Sequence, residues 1–87
     1  MRIKMALAIL VISSPAIAGP QCTNEPQDKW LTKADMMERI SKTHYAVDVF
    51  KKTKGNCYEI YGKDQTGKRV EVYFHPITGE IVKSSAL

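Results

Sequence analysis

The chain has 87 residues, 44% of them hydrophobic and 25% charged, with a formal charge of +4. That length holds one domain, and so mild a basic excess argues only weakly for acidic surfaces and does not support nucleic acid as a partner. Two histidines, two cysteines and no nucleophile-base-orienter constellation in the sequence argue against an enzyme.

Arg2 and Lys4 open the chain, residues 5–12 are an unbroken apolar run, and residues 13–18 end in small residues at Ala16 and Ala18. This predicts a signal peptide over residues 1–18, cleaved after Ala18. The apolar run is about half the ~20 residues that span a bilayer, so no stable membrane anchor is expected after cleavage. Gly19, Pro20 and Gln21 ahead of Cys22 are not a lipid-attachment context. The expectation is an exported protein, periplasmic or extracellular, whose charge falls to +2 as Arg2 and Lys4 leave.

Cys22 and Cys57 both survive that cleavage, and the compartment is oxidising, so a disulfide is expected between them. Closing a loop of about 35 residues is worth about 3 to 4 kcal/mol in the chain-entropy model, and a domain this small needs such a staple. The spacing lacks the C-x-x-C geometry of a redox-active pair.

Residues 19–30 contain Pro20 and Pro26 and show no periodicity. They predict an extended lead-in held by the disulfide. Trp30 closes it, a core or lid residue on one reading and a ligand-stacking residue on the other. The domain proper is expected over residues 31–83. Thr32 is a helix N-cap with Asp35 three residues on, and Leu31 and Met36 form a hydrophobic staple. Ala34, Met36, Met37 and Ile40 make the apolar stripe. The helix should end near Thr43 or His44.

Residues 45–51 then alternate, with Tyr45, Val47 and Val49 on one face and Ala46, Asp48 and Phe50 on the other. Further strands are predicted over residues 57–62 and 69–75, with a short fourth segment at 80–82 after Pro76 and the Thr78-Gly79 turn. Residues 84–87 are expected to fray. Lys51, Lys52 and Lys54 cluster where a turn is expected and read as a solvated surface.

The central hairpin sorts its residues by side. Tyr58 and Ile60 can meet Val70, Val72 and Phe74 as core, while Glu59 and Tyr61 share the other side with Glu71, Tyr73 and His75. Consecutive hairpins and a single helix give an α+β fold, one N-terminal amphipathic helix packed on an antiparallel β-meander of three to four strands. Cys57 is in phase with Glu59 and Tyr61, so the disulfide would draw the lead-in over that second face or around the edge, partly covering Tyr61 and Tyr73. Whether those two tyrosines lie open as binding anchors or under the lead-in is left undecided.

The chain resembles the PepSY domains, in particular the small secreted stand-alone ones. The resemblance is carried by a tryptophan ahead of an amphipathic helix, a Tyr-x-Val strand at Tyr45, Cys57-Tyr58-Glu59, the run from Gly67 to Tyr73, and the ending His75-Pro76-Ile77-Thr78-Gly79-Glu80-Ile81-Val82. That ending is similar to the family's Asp-Pro-x-Thr-Gly-x-hydrophobic motif, with His75 where an aspartate is usual; His44 likewise stands where a glycine often precedes the tyrosine. The resemblance implies a relation to propeptides of secreted metallopeptidases, which are thought to inhibit the protease or assist its folding. It carries over no catalytic residues and no cofactor.

The expected function is thus a non-enzymatic, monomeric protein- or peptide-binding module, modulating a secreted or periplasmic peptidase or another envelope protein. Its candidate face is Trp30, Glu59, Tyr61, Glu71, Tyr73 and His75, or else an unpaired sheet edge. The alternative is a small-ligand or divalent-metal site using His75, Glu59 and Glu71.

Overall fold

Thr32 starts a helix for the reason its side chain suggests: its hydroxyl accepts the Asp35 N–H at 3.1 Å. In the computed structural model, which describes residues 19–87, that helix is α1 (Lys33–Ser41), the α-helix of the described residues, preceded by a one-turn 3-10 helix (Gln27–Lys29). The leader assigned to residues 1–18 lies outside the described residues. α1 ends two residues before Thr43 and three before His44, the expected ends, because the Thr43 hydroxyl and N–H both turn back to the Ile40 carbonyl and close the last turn.

Four strands follow, β1 (Ala46–Lys52), β2 (Tyr58–Lys63), β3 (Arg69–Phe74) and β4 (Ile81–Ala86). They form one antiparallel sheet in chain order, so the fold is α+β with a meander. The register sets Tyr58 opposite Phe74, Ile60 opposite Val72 and Gly62 opposite Val70, which places the expected core set on one side. Met36 and Ile40 of α1 join Trp30, Tyr58, Ile60, Val70, Val72 and Phe74 in that core. Burying a side chain of this size stabilises by about 1.5 to 3 kcal/mol.

Two strands depart from the sequence pattern. In β1 the pairing passes from Val47, opposite Gly62, to Val49, opposite Tyr61. Asp48 is the extra residue of a bulge, and an extra residue reverses the alternation beyond it. Val47 and Phe50 therefore both pack on the core, while Val49 turns to the other side and is exposed. β4 is also longer than the expected residues 80–82. Ser84, Ser85 and Ala86 pair with Val72, Glu71 and Val70, and the Leu87 N–H donates to the Arg69 carbonyl at 3.0 Å. Small and polar side chains give no strand signal of their own there; the ladder offered by β3 orders them.

Two donors tie the entry to α1 to the sheet and the turn after β3, and a third holds Trp30 to the lead-in. The Tyr58 hydroxyl donates to the Leu31 carbonyl at 2.7 Å, the Leu31 N–H to the Pro76 carbonyl at 2.8 Å, and the Trp30 indole to the Glu25 carbonyl at 3.1 Å. Trp30 stands edge-on to Tyr58, with 5.5 Å between ring centres. It is a core residue on the helix side.

Candidate functional site

On the face of the sheet away from α1, the register writes two rows across the four strands. Lys51, Glu59, Tyr73 and Lys83 form one; Val49, Tyr61, Glu71 and Ser85 form the other. Glu59, Tyr61, Glu71 and Tyr73 are thus brought together, as direct or diagonal cross-strand neighbours. Trp30 is not part of this group, since it packs among the core residues on the opposite face.

The disulfide decides how open the face is. Cys22 and Cys57 are bonded, the Cys22 N–H donates to the Gly55 carbonyl at 2.8 Å, and the Asn56 side-chain amide donates to the Thr23 carbonyl at 3.0 Å. Gly55 lacks a Cβ where one would strike the Pro20 carbonyl oxygen. The lead-in is seated on the turn between β1 and β2, and its first described residue, Gly19, lies against the Tyr73 ring. Tyr73 is consequently 5% exposed and Glu59 3%. Tyr61, Glu71 and His75 stay half-buried. The second face is divided: the half nearest the disulfide is covered and the Tyr61 half is accessible.

The electrostatics follow from that division. Burial pushes the Glu59 carboxyl above its usual range, and the neighbouring Glu71 pushes the same way against the pull of Tyr73 and Lys51. Glu71 moves the other way, below the usual range, chiefly because the Glu59 carboxyl hydrogen-bonds to it and then because the Tyr61 hydroxyl does. Glu71 therefore ionises before Glu59. The Tyr61 hydroxyl, with the Glu71 carboxylate as acceptor, is pushed up to about 12, and burial followed by the Glu59 carboxyl raises Tyr73 as well. Lys51 answers Glu59 across the strands at 3.6 Å and lies 5.4 Å from the Tyr61 ring centre. Its part was hidden in the sequence, where it sat in an apparent turn cluster; the Asp48 bulge brings it into phase with this face.

His75 is half a turn away in role. Its Nδ1 accepts the N–H groups of Ile77 and Thr78 at 3.2 and 3.3 Å. The Gly79 N–H donates to the His75 carbonyl and the Glu80 N–H to the Thr78 hydroxyl. His75, Pro76, Thr78 and Gly79 build a turn, and the imidazole does there what a side-chain carboxylate does in an Asx turn. The metal alternative that joined His75 to Glu59 and Glu71 is not assembled: among the described residues no group of three or more His, Cys, Asp or Glu side chains could hold a metal ion.

At the far end of the sheet, Thr43, His44, Tyr45, Asp64, Gln65 and Thr66 line an open groove of about 600 Å³. None of the residues singled out in the sequence as candidate binders lies in it. No helix among the described residues is long and apolar enough to cross a membrane.

The sheet's edges are β1 and β4. β1 carries its bulge together with Asp48, Lys51 and Lys52, devices that discourage strand addition. β4 carries one charge, Lys83, and a bulge of its own, since the pairing passes from Tyr73–Lys83 to Phe74–Ile81 and leaves Val82 as the extra residue; it exposes Ile81 at 49% and Val82 at 44%.

A family model described as peptidase propeptide and YPEB domain matches residues 2–85. No curated protein and no solved structure matches the chain.

Proposed function

Because the chain belongs to the peptidase propeptide and YPEB domain family, the PepSY domains, we propose that it is a non-enzymatic binding module that captures an extended peptide segment of an exported peptidase or another envelope protein. In this reading residues 1–18 are a leader removed after Ala18, residues 19–30 a strap and residues 31–83 the family domain with β4 continuing it, and the exported protein is a monomer. The observation that carries it is the β4 edge. Its main chain has no partner strand on the outer side among the described residues, it carries the single charge Lys83 where β1 carries Asp48, Lys51 and Lys52, and Ile81 and Val82 offer apolar contact. A peptide in extended form adds to such an edge through main-chain hydrogen bonds, with alternate side chains giving selectivity. Tyr61, half-exposed on the neighbouring face, is a second anchor on the same reading.

The test is capture from an envelope extract with the oxidised chain starting at Gly19, beside Val82→Lys and Tyr61→Ala forms that give the native circular dichroism spectrum. A peptidase retained by the native chain and by Tyr61→Ala but lost with Val82→Lys places capture on the edge. Loss with Tyr61→Ala alone moves it to the open half of the second face, and retention by all three forms refutes both surfaces.

A further inference from the structure

Glu59 is 3% exposed, yet only one of its two oxygens is answered. Lys51 Nζ stands 3.6 Å from Oε1, while for the ionised carboxylate no donor is within hydrogen-bond geometry of Oε2 among the described residues, its near neighbours being Tyr73 and a second carboxyl, Glu71. A buried polar atom left unmatched is costly, and more so when charged. The surroundings say where a partner could enter. Tyr73 lies directly opposite Glu59 in the register, and Gly19 lies directly against Tyr73: a Cβ added to Gly19 would fall 2.7 Å from the Tyr73 hydroxyl oxygen. The Gly19 nitrogen shares that Cα, which by bond geometry keeps it within about 5 Å of the hydroxyl. Gly19 is also the residue that cleavage after Ala18 leaves at the head of the chain.

We propose that the α-ammonium of Gly19, created when the leader is removed, docks beside Tyr73 and pairs with the Glu59 carboxylate, completing the half-answered carboxylate and locking the strap onto the second face. The inference rests on the leader reading given above. The step that creates the group is hydrolysis by a peptidase of the export route: water adds at the Ala18 carbonyl, the Ala18–Gly19 C–N bond breaks, Ala18 departs as a carboxylate and the Gly19 nitrogen leaves as an amine that is protonated. An ammonium brings three donors, enough for Glu59 Oε2 and the Tyr73 oxygen together. A side chain at residue 19 would obstruct this, since the Tyr73 ring occupies the place of its Cβ.

The groups facing Glu59 are Lys51 on β1, Tyr61 on its own strand, Glu71 and Tyr73 on β3, and Lys83 at the β4 end of the same row. Two carboxyls and two lysines leave an added ammonium neither repelled by an excess of cations nor duplicated. With Gly19 in peptide linkage Glu59 is held above the usual carboxyl range; an ammonium reverses that pull and is itself made harder to deprotonate. Its stabilisation is present below the ordinary α-amino value of about 8 and disappears as pH rises through the raised value in the folded protein.

The experiment uses the protein recovered after export, with intact mass read first. A chain starting elsewhere than Gly19 overturns the leader reading, and this pairing with it. For a chain starting at Gly19, the α-amino group is titrated by NMR, and melting is compared for the native chain, its Nα-acetylated form, a form with one extra glycine ahead of Gly19, and Glu59→Gln with and without acetylation. The expected result is an amine at least tenfold less acidic than an ordinary one, and a melting temperature lowered by acetylation and by the extra glycine but hardly moved by acetylating Glu59→Gln. An amine of ordinary acidity, or equal losses on acetylating the native and Glu59→Gln chains, overturns the pairing while leaving the leader reading intact. The extra-glycine form keeps the core untouched, so the test does not depend on Glu59→Gln folding.

Discussion

Two tyrosines that look alike in the sequence differ at the residue scale. Tyr61 and Tyr73 share a face and a cross-strand neighbourhood, but Gly19 and the strap cover only Tyr73. Tyr73→Ala should cost about 3 kcal/mol, as for other buried aromatics cut to alanine, whereas Tyr61→Ala should cost about 1 kcal/mol or less. Urea unfolding of both variants checks this; equal losses would mean that the strap does not rest on Tyr73 in solution. The alternation of β2 and β3 made the membership of this face readable from sequence. Its burial was not readable, because burial depends on where a distant proline-containing segment is pinned by the bond between Cys22 and Cys57. His75 shows a similar limit: the turn around Pro76 and Gly79 was legible, but that an imidazole nitrogen could replace the usual carboxylate follows only from its contacts with Ile77 and Thr78.

The elements are held by turns as much as by strands. At the β2–β3 connection Asp64 Oδ1 accepts the Thr66 N–H at 2.9 Å, the Thr66 hydroxyl at 2.7 Å and the Lys68 N–H at 3.0 Å. The Thr66 hydroxyl first, then the Lys68 amide, hold the Asp64 carboxyl below its ordinary 3.8. A carboxyl lowered on folding contributes stability that is fully present above the unfolded value and is lost as pH falls through the folded one. The Thr66 and Lys68 amide signals should therefore shift together on acidification below about 3.8, and Asp64→Ala should abolish that titration. Persistence of the titration in Asp64→Ala would assign it to another group. Hairpin and helix starts of this sort were legible because their chemistry is local. The Asp48 bulge and the β4 ladder from Ser84 to Ala86 were not, since each is set by a partner strand rather than by the segment's own side chains.

At the scale of the whole molecule, the one α-helix and four strands of the described residues make a thin core, and the Cys22–Cys57 bond is the long-range tie beyond it. Replacing both cysteines by serine should lower stability by about 3 kcal/mol. It should also raise hydrogen exchange of the backbone N–H at position 22, which the Gly55 carbonyl holds in the native chain. A loss below about 1 kcal/mol would show that the strap is held by its hydrogen bonds alone. The strand order carries one more consequence, for the timing of assembly. Each strand pairs with its neighbour in the chain, so the meander can zip hairpin by hairpin within microseconds to milliseconds, whereas joining two sulfurs takes seconds or longer. A newly made chain thus passes through an interval in which the strands are in place and Tyr73 is still bare. The oxidant that joins the sulfurs also ends that interval, and a partner that needs the uncovered half of the sheet has only that time in which to find it.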